Sequence, residues 1–142
     1  MTRASIVRRP IDVQELTREA TAETCGAISI FLGTVRSTND GKEVSGIDYS
    51  AYEEMAEREM LTILGEASAK FGIVNGIIEH RIGTLAIGDA SIAVVVSHPH
   101  RANAMDALRY VVDETKARAT VWKLEHYADG SREWVGAGSH PS

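Results

Sequence analysis

Three stretches of the chain carry residues whose types and spacing suit chemistry at an anionic or acyl centre. The first is His98-Pro99-His100-Arg101, which lies where an apolar run ends and a helical pattern begins. Arg101 and the free N–H groups of a first helical turn can hold a phosphate together. His98 and His100 stand one residue apart, which also allows a metal reading if the strand runs that far. No third ligand is evident, however, and Pro99 disturbs the geometry. The same residues at a strand–helix junction can equally cap the helix or face solvent.

The second stretch, KARATVWK over residues 116–123, places Lys116 near a helix C-terminus and Lys123 on the strand that follows. Two ammonium groups can converge there. A desolvated lysine beside another cation becomes a usable acid, base or nucleophile at an acyl or phosphate centre. The plainer alternative is that Lys116 complements the helix dipole and Lys123 snorkels. The third is Arg36, which ends an apolar run and opens a polar loop, a suitable place for an anion-binding arginine and also an ordinary one for a surface arginine. Cys25, the single cysteine, would be the nucleophile of a persulfide enzyme, but beside an apolar strand it reads as a small inert hydrophobe.

Elements that could position these residues follow from the pattern. Ser5 to Arg9 reads as an edge strand stopped by Pro10, and Asp12 with Glu15 as a capping box that starts a short helix over about 13–22. Gly26 to Arg36 (GAISIFLGTVR) reads as a buried strand. Residues 37–46 form a polar, Gly-punctuated loop with freedom to move, and 47–52 return as a strand paired antiparallel with the one before. Glu53 to Phe71 is a long helix with Met55, Met60, Ile63, Leu64 and Ala67 inward and Gly72 at its end. Two strands, 73–82 and 90–97, lead to His98. A second long helix over 102–119 turns Met105, Leu108, Val111, Val112 and Thr115 inward, and 120–127 and 133–135 close the chain as strands. The expected fold is α+β: two long helices on one face of a mostly antiparallel sheet, in a single domain with a small β subregion over residues 1–142 and a short flexible tail after about 136.

Composition narrows the function. Fifteen Lys and Arg against twenty Asp and Glu give a net charge of −5, the wrong sign for general nucleic-acid binding. One cysteine permits no intrachain disulfide and no Cys-based metal site, which fits a reducing cytoplasm. There is neither a signal-peptide pattern nor an apolar run long enough to span a membrane, and no glycine-rich nucleotide signature. Neither a resident cofactor nor a metal is expected.

Taken in order, GAISIFLGTVR, YSAYEEMAERE, HRIGTLAIGD, SHPHRANAMDA and KARATVWKLE resemble the large, catalytic subunit of molybdopterin synthase, from about Gly26 to Val135. The resemblance implies an α/β hammerhead fold and a sulfurtransferase of molybdenum cofactor biosynthesis. It also implies a central homodimer within a heterotetramer, each copy binding a small ubiquitin-like carrier whose C-terminal Gly-Gly thiocarboxylate supplies sulfur to cyclic pyranopterin monophosphate. By the same resemblance Lys116 and Lys123 are the functional lysines, Arg36, His100 and Arg101 hold the phosphate and pterin, and Phe31 is an aromatic near the pocket. Ser50 departs from the family, which more often has an acidic residue there, and the tail after Val135 is short and Gly-rich, ending SHPS.

Spacing adds a constraint. Arg101 and Lys116 are fifteen positions apart on one helix, roughly 22 Å, too far to touch one small pterin from one subunit. A dimer in which His100 and Arg101 act in trans removes the difficulty. Two alternatives compete: a metal-dependent hydrolase of a phosphorylated metabolite using His98, His100 and perhaps His80, and a non-catalytic ligand-binding domain in which both lysines are dispensable.

Overall fold

The computed structural model describes residues 1–135; the tail expected after about 136 lies outside them. In chain order the elements are β1 (Thr2–Val7), α1 (Val13–Ala20), β2 (Ala27–Thr34), β3 (Thr38–Asn39), β4 (Lys42–Ala51), α2 (Glu53–Phe71), β5 (Asn75–Arg81), β6 (Gly83–Ala86), β7 (Ala90–His98), α3 (Arg101–Arg118), β8 (Val121–Tyr127) and β9 (Arg132–Val135). They make two sheets. The first runs β1-β5-β7-β2, and the second runs β3-β4-β8-β9 with β6 also on β4. Only the β1–β5 pair is parallel, as a mostly antiparallel sheet requires. Among the described residues no helix is long and apolar enough to cross a membrane.

Period-two alternation divides the first sheet between two small cores. Met60, Ile63 and Leu64 of α2 and Val111 of α3 pack on Ile78, Val94 and Val96 on one face. On the other face Leu16 and Ala20 of α1 cover Ile77, Ala93 and Val95. The two long helices therefore share a face, and the short helix holds the opposite one. Val35, Val44, Ile47, Leu85 and Tyr127 form a third cluster against the second sheet. The outermost expected core positions fail: Met55 is 50% and Met105 63% exposed.

Four further expectations are corrected. The segment from Gly26 is not a buried strand, because β2 is the outer strand of its sheet and buries only alternate residues. Residues 47–52 do not pair with it either. β2 leaves for β7, while β4 pairs with β3, β6 and β8. The supposed mobile loop is a tight hairpin, β3–β4, turned by Asp40 and Gly41 with φ of 49° and 78°, the double positive φ of a two-residue hairpin turn. The capping box is half made: Asp12 accepts from the Glu15 N–H at 3.2 Å, whereas the Glu15 carboxylate pairs with Arg18.

One buried charge ties the N-terminal strand to the sheet. The Glu79 carboxylate is 1% exposed and accepts from both Arg9 Nη atoms at 3.1 and 2.9 Å and from Arg3 Nη2 at 3.1 Å. Removing its partners strands a carboxylate in the interior, a loss of about 3–5 kcal/mol. The double variant Arg3→Ala/Arg9→Ala should lose about that much in a denaturant titration. A loss below about 1 kcal/mol would mean that the pairs act as screened surface contacts.

Candidate functional site

The α3–β8 junction sets both lysines. Glu59 of α2 accepts from the Thr120 N–H at 3.0 Å and from the Thr120 hydroxyl, pinning the connection between them. At the end of α3, Arg118 donates to both oxygens of Glu66 at 2.7 and 2.9 Å, joined by the Tyr110 hydroxyl at 2.6 Å. That arrangement holds the Glu66 carboxyl down at about 2. In the β4–β8 ladder Lys123 lies directly opposite Tyr49, so the two side chains share a face.

That face looks into a pocket of about 510 Å³ whose lining includes Phe31, Arg36, Tyr49, His80, Lys116 and Lys123. The two lysines converge as the spacing predicts. Lys116 is exposed, with Nζ 5.5 Å above the Phe31 ring, and Lys123 is half-buried. The desolvation invoked for Lys116 from sequence is therefore not supplied by the described residues. Gly33 also lines the pocket; a Cβ there would stand 2.7 Å from Ile92 Cγ2 and 3.3 Å from the Phe31 ring, so a larger residue would push that ring out of place. Arg36 reaches Asn39 at 3.4 Å, and Asn39 donates to the buried Glu125 of β8 at 2.7 Å, so the hairpin holds the arginine toward the pocket. Ser50, the departure noted from sequence, has a buried hydroxyl with no partner.

His100 and Arg101 are elsewhere. Both are exposed at the start of α3, where His100 is the cap residue without a side-chain cap bond. Arg101 lines a separate apolar groove of about 840 Å³ between α3 and β2, with Ile28, Ile30, Met105 and Leu108; Phe31 borders both cavities. The α3 axis thus separates Arg101 from the lysines as its length demands. His98 is buried, its Nδ1 accepting the His100 N–H at 2.8 Å. His80 is in the other cavity, and among the described residues no three His, Cys, Asp or Glu side chains gather to hold a metal. The ligand set that the hydrolase alternative needs is not assembled.

Two pocket residues, Tyr49 and His80, were missed as members of this constellation. The available signal was a histidine inside the apolar run of β5. His80 is 7% exposed, and burial, reinforced by the charge of Lys123, pushes its imidazole down to about 4. In an unfolded chain the ring titrates near 6.5. Between these values the unfolded state binds more protons, so the ring lowers stability as pH falls from 6.5 to 4. Glu66 acts in another window: its contribution is complete above about 4.5 and is lost as pH falls through about 2. Denaturant titrations at pH 7 and 4.5 should show the wild type losing on the order of 2 kcal/mol more than His80→Gln. Equal losses would mean that the ring is not buried neutral.

The family model described as MoaE protein matches residues 6–118, well over half of the chain. The chain belongs to the MoaE family. Among curated members of the family, the molybdopterin synthase catalytic subunit of Pyrococcus abyssi is 41% identical over 98% of this chain and 95% of its own length. Molybdopterin synthase catalytic subunit 1 of Aedes aegypti is 42% identical over 87% of this chain and 82% of its own. MoaE-family structures share the fold: the crystal structure of molybdopterin synthase from Staphylococcus aureus superposes with a TM-score of 0.89 at 34% identity, covering 94% of this chain and 96% of that one. A complex of subunits 1 and 2 of molybdopterin-converting factor from Helicobacter pylori matches at 0.77 and 26%, covering 97% and 93%.

Proposed function

We propose that this chain is the catalytic subunit of a molybdopterin synthase, moving sulfur from the C-terminal Gly-Gly thiocarboxylate of a small ubiquitin-like carrier onto cyclic pyranopterin monophosphate to build the dithiolene of molybdopterin. The observation that carries the reading is the convergence of Arg36, Lys116 and Lys123 on one pocket in a member of the MoaE family. A thiocarboxylate and a phosphate are both anions, and three cationic donors suit them. In each transfer a carbon–sulfur bond forms to a side-chain carbon of the pterin as a carbon–oxygen bond at that carbon breaks, the oxygen leaving as water or as a phosphate oxygen. Water then cleaves the carrier's acyl–sulfur bond, releasing the acyl group as a carboxylate. Lys116 activates the thiocarboxylate or the substrate, while Lys123 assists proton transfer and carrier docking. Arg36, His100 and Arg101 hold the phosphate and pterin, with Phe31 as the wall. Sulfur arrives on a partner, so Cys25 has no part in the chemistry and the lone thiol suits a reducing cytoplasm. The subunit complex of the Helicobacter pylori relative supports a small protein partner.

The second groove supports a homodimer with composite sites. β2 is an edge strand whose outward residues are apolar: Ile28, Ile30 and Leu32 are 36–42% exposed. Monomeric proteins blunt such edges with charge or cover them. A second copy there would bury the row and bring the partner's α3 N-terminus toward this chain's lysines, completing a heterotetramer with two carriers.

Reconstitution tests the reading: purified protein, a thiocarboxylated carrier and cyclic pyranopterin monophosphate, followed by mass detection of a two-sulfur pterin. Product that requires all three components is expected. No product with a carrier shown to bind would favour a ligand-binding domain on the same scaffold.

A further inference from the structure

The pocket holds three cationic side chains, all of them hydrogen-bond donors, and one buried ring whose acceptor atom is fixed. His80 Nδ1 lies 2.9 Å from the carbonyl oxygen of Arg81. A carbonyl only accepts, so Nδ1 carries the proton and Nε2 keeps its lone pair. No described protein group donates to Nε2. The ring is held edge-on against Tyr49, with centroids 5.2 Å apart and planes at 64°, and Tyr49 is the residue directly across the ladder from Lys123. Strand register, stacking and the Arg81 carbonyl therefore fix one imidazole with a free acceptor in the wall of the cavity that Lys123 also lines.

We propose that His80 is a positioning residue for Lys123, its Nε2 accepting a hydrogen bond from the lysine Nζ and holding that group in the pocket throughout sulfur transfer. The inference rests on the reading of this pocket as the sulfur-transfer site. A neutral acceptor is the suitable one. A carboxylate in the same place would pair with the lysine and favour its charged form, hindering proton release. Imidazole orients the side chain without that penalty, and a neutral amine can still donate an N–H to it, so the contact survives both protonation states.

The groups around the ring keep it neutral. Lys123 faces it from β8, Tyr49 from β4 and Arg81 from its own strand, while Arg36 and Lys116 stand across the cavity. Two carboxylates of this region are engaged elsewhere: Glu125 accepts from Asn39 and Tyr127, and Asp89 faces Arg81 at 3.6 Å. Loss of a positioning contact of this kind costs about 10- to 100-fold in rate, because small displacements of a reacting group are amplified.

Two measurements decide it. Nitrogen-15 NMR of histidine-labelled protein at pH 7 should show His80 with Nδ1 protonated and Nε2 bare, and the Nε2 resonance should move in Lys123→Ala. A protonated Nε2, or a resonance indifferent to Lys123→Ala, overturns the proposal whether or not sulfur transfer is reconstituted. In single-turnover assays at saturating carrier His80→Leu should lose about 10- to 100-fold in rate, and His80→Gln, which keeps a neutral acceptor near the Nε2 position, should recover most of it. In the Lys123→Ala background His80→Leu should cost nothing further, whereas an undiminished cost there overturns the proposal. If His80→Leu does not fold, His80→Asn replaces it, since Asn keeps a donor for the Arg81 carbonyl and lacks the distal acceptor. A wild type that transfers no sulfur while the NMR results hold would remove the proposed function and leave the His80–Lys123 contact standing.

Discussion

Lys116→Ala is expected to lower sulfur transfer by about 10²- to 10⁴-fold, the range for losing a positioned acid–base group, while leaving the melting temperature essentially unchanged. The stability half of this expectation follows from where the side chain sits. Lys116 is exposed on the last turn of α3, and the ion pair that fastens that turn to α2 runs from Arg118 to Glu66. Its one close aromatic contact is the Phe31 ring at 5.5 Å, an exposed cation–π contact of about 0.5–1 kcal/mol. The activity half follows from the cavity: the Lys116 ammonium faces Lys123 and Arg36 across a space of about 510 Å³. Single-turnover product formation with thiocarboxylated carrier measures it. Turnover within threefold of wild type would remove Lys116 from the chemistry and return it to a helix-dipole role.

How much of this was legible in the sequence depends on what each signal encodes. Helices α2 and α3 and the site's placement at the α3–β8 junction follow from periodicity and spacing, which are local. Strand partners are not local. The hairpin rule assigns 47–52 to the nearest upstream strand, but Asp40-Gly41 already closes a hairpin within 38–51, and β2 is left to find β7. GAISIFLGTVR reads as buried because both of its faces are largely apolar. One face packs under α3 through Phe31, and the other carries Ile28, Ile30 and Leu32 outward, left 36–42% exposed by the described residues. Hydropathy reports that a row needs covering, and it is silent on whether the cover comes from the same chain. Met105 misled for the same reason: it is apolar, in phase with the buried face and 63% exposed beside that row. His80 could be noticed as a polar residue in an apolar strand, but its tautomer depends on the Arg81 carbonyl, whose position only the fold sets.

The outward row and the helix length lead to the same experiment. α3 is continuous from Arg101 to Arg118, so Arg101 and Lys116 stand roughly 22 Å apart along one axis. They line different cavities. If both serve one substrate, the Arg101 at each site comes from the partner. Two inactive chains, Lys116→Ala and Arg101→Ala, then complement each other in a defined way. In a mixed dimer one site combines both defects, and the other combines an intact lysine with an intact arginine. With equal amounts and random pairing half the dimers are mixed, so about a quarter of all sites are whole and about a quarter of wild-type activity should return. Arg101→Ala alone should weaken substrate binding strongly, because it removes a charge-assisted contact to an anionic group. A cis arrangement predicts no recovery at any ratio, since each chain would carry its own defect into its own site. Differentially tagged chains, purified as mixed dimers before assay, separate the two cases: about half of wild-type activity per mixed dimer supports sites in trans, and none sinks them.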